Sequence, residues 1–98
     1  MLYKFKSKNV GDVVMLEPNG RRLLEIIGKS AEPKGIILPE QMPSAIAALE
    51  AEIAREEAVD KEAGHVFSEG VALRQRAMPF IEMLRANHKS GGEVVWGV

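Results

Sequence analysis

The side chains with the widest chemical reach in this chain are two histidines, one glycine–lysine–serine triplet, a run of glutamates and a group of arginines near the C-terminus. His65 and His88 are the weak candidates for metal ligation, and with nearby carboxylates they carry the alternative reading of a small-molecule or metal-binding domain. They lie 23 positions apart, whereas a pair on one helix would be spaced by three or four. His88 also suits the polar end of a helix, where a cation complements the dipole. Gly28-Lys29-Ser30 matches the end of a phosphate-binding loop. The full motif needs a glycine five positions earlier, where this chain has Leu23. The triplet also follows a helix instead of preceding one, so a phosphate would meet the negative end of the dipole. It reads as a helix stop. The glutamates, Glu50, Glu52, Glu56 and Glu57, fall on a solvent-facing helix side, where no apolar pocket raises a carboxyl pKa for acid–base work. No serine has a neighbouring base. No catalytic residue is assigned, no cofactor is implied, and the chain is not expected to be an enzyme.

The arginines are more suggestive. Arg74, Arg76 and Arg85 stand with Met78 on one predicted helix. At 100° per residue Arg74 and Arg85 fall within about 20° of each other. Arginine beside methionine is typical of protein interfaces. These four residues form the candidate interaction site, for an unidentified protein partner or a second copy of the chain. Charge reversal at Arg74 and Arg85 would then weaken association. The competing reading is internal: the arginines pair with the acidic middle of the chain, or lay their stems over the core. A nucleic-acid role through Lys4, Lys6, Lys8, Arg74 and Arg76 is disfavoured, because five aromatic residues in all give little to stack bases on.

Composition narrows the classes further. The chain has 98 residues, 46% hydrophobic and 28% charged, with a formal charge of −1. That suits one globular domain over residues 1–98. No apolar run approaches the roughly 20 residues of a membrane span, and no membrane role is expected. The N-terminal MLYKFKSK alternates where a signal peptide would continue apolar. There is no cysteine, which removes thiolate chemistry and thiolate-held metals and fits the reducing cytoplasm. The −1 is segregated: residues 1–35 carry +3, residues 36–70 carry −6 and residues 71–98 carry +2. The acidic block is either a solvated helix face or a docking surface for a basic partner.

The elements that must position these side chains follow from periodicity. Leu2–Ser7 alternates, with Leu2, Lys4 and Lys6 on one face and Tyr3 and Phe5 on the other, as in a half-buried strand. Residues 12–16 hold four apolar residues in a row and fit either a strand or a helical turn. A helix is expected over Asn19–Ile27, with Pro18 in its opening turn and Gly28 at its stop. Gly20 lies on its apolar side, where a missing side chain permits close packing. Gly35–Leu38 reads as a buried strand. Pro39–Pro43 reads as a turn, and Pro43 opens a helix whose apolar stripe is Met42, Ile46, Leu49 and Ile53. A polar connector is expected around 59–68. Leu73, Ala77, Phe80, Ile81 and Leu84 define a last helix over Val71–His88, with a kink or a fresh start at Pro79. Residues 93–98 form a C-terminal strand. The fold class is α+β: a small antiparallel sheet that includes the N- and C-terminal strands, packed against about three helices.

The segments LYKFKS, GDVVMLEPNGRRLLEIIGK, GIILPEQMPSAIAALEAEI, LRQRAMPFIEMLRAN and VVWGV, in that order, resemble a proteobacterial family known as domain of unknown function 1840. The likeness spans nearly the whole chain. It implies a bacterial cytoplasmic protein and carries across no catalytic residue, ligand or partner. Residues 56–68 depart from the family pattern, in which an Ala/Glu-rich connector is often longer, and read as a tolerant linker.

Overall fold

A computed structural model describes residues 2–30, 32–63 and 69–97 of the chain. Its elements are β1 (Leu2–Lys6), β2 (Val13–Leu16), α1 (Glu17–Ile26), β3 (Gly35–Ile37), a single 3-10 turn (Pro39–Gln41), α2 (Met42–Ala63), α3 (Glu69–Ser90) and β4 (Val94–Trp96). The four strands form one antiparallel sheet in the order β2-β1-β4-β3. The N- and C-terminal strands are therefore neighbours at its centre, and the expected α+β architecture is what the chain adopts.

Alternation in β1 does what the sequence implies. Tyr3 and Phe5 turn inward and are buried, and Leu2 and Lys4 turn outward. Phe5 meets Phe80 of α3 with ring centroids 4.7 Å apart and Trp96 of β4 at 5.9 Å. These tilted pairs tie the two terminal strands to the last helix. The Trp96 indole N–H donates to the carbonyl oxygen of Glu32 at 2.9 Å, so its polar edge is satisfied.

Residues 13–16 resolve as a strand, which the local sequence left open. The partner decides it: Leu2, Tyr3, Lys4 and Phe5 pair with Leu16, Met15, Val14 and Val13 in unbroken register. The chain turns directly into α1, with Pro18 in the first turn. Gly20 packs against the Tyr3 ring, where an added Cβ would lie 2.6 Å from a ring carbon. At the other end Gly28 adopts φ 81°, and Lys29 N–H donates to Leu24 O at 2.8 Å. This left-handed stop is open to glycine at little cost.

The stripes of α2 and α3 meet each other and the inner sheet face. Met42, Leu49 and Ile53 of α2 are buried, with Ala45 beside them and Ile46 half-buried. All five expected positions of α3, Leu73, Ala77, Phe80, Ile81 and Leu84, are buried, with Met83. Helix α3 runs unbroken through Pro79, so it does not start afresh there. Buried Ala77 and Phe80 on either side of the proline anchor the helix across it. Residues 59–63, within the stretch read as a connector, continue α2, and residues 64–68 lie outside the described residues.

Candidate interaction surface

Four glutamates of the acidic middle, Glu50, Glu52, Glu56 and Glu57, are matched internally. Arg74 of α3 grips Glu57 of α2 with two hydrogen bonds, Nε to Oε2 at 2.8 Å and Nη2 to Oε1 at 2.7 Å. That bond holds the Arg74 guanidinium above its ordinary pKa. Arg85 pairs with Glu50 of α2, and Arg22 of α1 with Glu56. Glu52 bonds Arg55 on its own helix, and this hydrogen bond is the chief cause of its carboxyl lying below the ordinary value. Met78 is half-buried against the core. Arg74, Met78 and Arg85 do come together, around a shallow hollow that Glu50 and Ile53 complete. Its two arginines are engaged within the molecule. Arg76 points elsewhere: it is exposed and, among the described residues, has no ion pair.

His88 is exposed in the last turn of α3, and His65 lies outside the described residues. Among the described residues no three metal-binding side chains cluster. A cleft of about 610 Å³ lies between the β1–β2 turn and the end of α3, lined by Lys6, Lys8, Ser90 and Glu93 among others. Beside it Asn87, fully buried, donates to Met83 O at 2.8 Å and accepts from Asn9 Nδ2 at 3.0 Å. Asn9 also donates to Ser90 Oγ at 2.8 Å. This junction fastens the turn to the helix. The cleft sits at the negative end of α3, which opposes the anion that its lysines would otherwise attract.

The remaining surface is the outer face of the sheet. Helices cover one side only, and the burial of every strand alternates accordingly. Register fixes the rows of the open side: Leu16 beside Leu2, Val14 beside Lys4, and Lys6, Val95 and Ile36 side by side. Leu2, Leu16, Val14 and Ile36 are 60%, 61%, 48% and 38% exposed. Five apolar residues and two lysines thus share one face, with no carboxylate in those rows. Among the described residues neither lysine has an ion pair.

The family profile described as domain of unknown function (DUF1840) matches residues 1–96. The chain belongs to this family. No curated protein and no solved structure matches it. Membership in the DUF1840 family settles the resemblance carried by the ordered segments and leaves activity open, so the surface itself must supply the functional reading. Sequence reasoning placed Leu2, Lys4 and Lys6 on one face but missed the patch. Its other half, Val14 and Leu16, depended on whether 12–16 is a strand. The available signal was the run VVML directly before the helix-opening Glu17-Pro18, which leaves no room for a helical turn of its own.

Proposed function

We propose that this chain is a cytoplasmic protein-interaction module that docks an acidic protein surface on the outer face of its sheet. The observation that carries the reading is Leu16. It is 61% exposed, and it occupies the N-cap of α1 without any side-chain cap bond. A serine or aspartate would cap that helix and solvate that face. Leucine there serves neither core nor cap, and it adjoins an apolar row. Patches of this kind, rimmed by polar groups, mark interaction sites. Lys4 and Lys6 set the sign of the partner. Two copies docked face to face would oppose lysine to lysine, so an acidic partner suits the face better than a second copy. Catalysis forms no part of this reading. The absence of cysteine supports a reducing compartment.

The test is quantitative capture from the native cell with four baits. The unaltered chain should enrich a partner that Leu16→Ser and Lys4→Glu both lose, whereas Arg74→Glu retains it. Leu16→Ser keeps the fold intact, because serine is a good N-cap. Equal recovery on all four baits would overturn the proposal.

A further inference from the structure

Strand β2 closes one end of the sheet and, among the described residues, pairs only with β1. One side of its backbone therefore has no strand partner. Edges of this kind are usually blunted by lysine, proline or a bulge. Val13–Leu16 contains neither residue, and its four consecutive pairs leave no bulge. The edge opens onto a groove of about 500 Å³. Strand β2 forms one wall, and Gln75, Arg76 and Pro79 of α3 form the other.

Two features of the far wall suit an extended chain. Pro79 has no N–H, so the carbonyl of Gln75 lacks its ordinary helical donor four residues on. Both residues line the groove. Arg76 supplies a cation with no ion pair among the described residues, unlike Arg74 and Arg85, which α2 engages. Asp12 is the one carboxylate among the described lining residues, and it stands at the loop end of the strand.

We infer that this groove receives an extended acidic segment of the docking partner as a fifth strand. Its backbone pairs with β2, and one of its carboxylates seats on Arg76. The inference rests on the proposed docking role of the sheet face and says how the partner continues around the edge. Strand addition satisfies the open edge through main-chain hydrogen bonds, with alternate side chains supplying selectivity. On the added strand, outward side chains extend the Val14–Leu16 rows and inward ones meet α3. A lipid surface has no backbone to offer the edge. Two copies paired antiparallel edge to edge would bring the Asp12 end of each strand towards the Leu16–Glu17 end of the other, carboxylate near carboxylate.

The probe is a short synthetic peptide of alternating valine and glutamate, titrated into the isotopically labelled full chain and followed by NMR. Shifts should concentrate at Val13–Leu16 and Gln75–Met78, with slowed amide exchange along β2. The same peptide with alternate backbone nitrogens methylated should not bind. Arg76→Glu, on an exposed helix position, should weaken binding by roughly tenfold or more while the spectrum stays dispersed. Equal binding of the methylated peptide, shifts centred elsewhere, or silence at millimolar peptide would each overturn the inference. So would a β2 response to vesicles of anionic phospholipid with the peptide inert. In cell capture, loss of the partner with Leu16→Ser but not with Arg76→Glu would leave the sheet-face proposal standing and remove strand addition. Loss with neither would remove both.

Discussion

Asn87 shows how much one side chain decides in this fold. It is the buried polar residue among the described core, and its amide bonds a carbonyl of its own helix on one side and Asn9 on the other. Asn87→Ala leaves Asn9 without that acceptor and opens a void, and should cost about 1–3 kcal/mol. Chemical denaturation with and without Asn9→Ala checks it: the two losses should overlap, because they break one contact. Glu52 governs a smaller, pH-dependent contribution. Its carboxyl is held below the ordinary 4.5, first by the hydrogen bond from Arg55. A depressed carboxylate stabilises the fold above its unfolded value, and that stability is lost as pH falls through the lower folded value. The pair is solvent-screened, so the effect is slight. Between about pH 5 and about pH 3, the unaltered chain should lose slightly more stability than Glu52→Gln in parallel urea titrations. Neither role was legible in the sequence. Asn87 sits three positions after Leu84 on the apolar stripe, but a polar residue near a helix end reads as solvated until Asn9 is known to reach it.

At the scale of elements, the helical stripes and the β1 alternation were legible because they are periodic and local. Strand β2 was not, because four apolar residues in a row carry no period, and pairing with β1 settles the matter from outside the segment. Pro79 was misleading for a related reason. Proline inside a helix costs about 3 kcal/mol relative to alanine, but buried Ala77 and Phe80 hold the turn on both sides. That tertiary packing carries the helix through a residue that would otherwise break it. Pro79→Ala restores the amide donor to Gln75 and should raise stability by about 1–3 kcal/mol. It should also weaken the alternating peptide, because the Gln75 carbonyl then regains its helical donor. A thermal melt and the NMR titration read the two effects separately. A variant that gains stability while binding unchanged would show that the proline bears on α3 alone. Gly20 makes the opposite case. An added Cβ would lie 2.6 Å from the Tyr3 ring and 2.7 Å from its Cβ, close to the backbone of β1. Gly20→Ala should therefore destabilise by about 1–3 kcal/mol, despite the better helix propensity of alanine.

For the whole molecule, the segregated charge has two fates. The acidic block of α2 is met by arginines from both flanks, Arg22 of α1 and Arg74 and Arg85 of α3. Those cations help hold the three helices in register, and the formal −1 conceals this internal matching. The basic residues of β1 are not consumed in the same way. Lys4 and Lys6 stand among five apolar side chains on a face that no helix covers. On the proposed docking role, the arrangement would attract an acidic apolar partner and repel its own copy, giving one surface both affinity and selectivity. Self-association tests this charge pattern without knowledge of the partner. The unaltered chain should scatter light as a monomer of 10.8 kDa. The double variant Lys4→Glu/Lys6→Glu should do the same, because it opposes glutamate to glutamate. An equimolar mixture of the two places opposite charges around the same apolar rows and should form a salt-sensitive dimer. If the mixture stays monomeric at low ionic strength, the apolar rows lack the capacity to dock a surface of matching charge, and the role assigned to the sheet face fails with them.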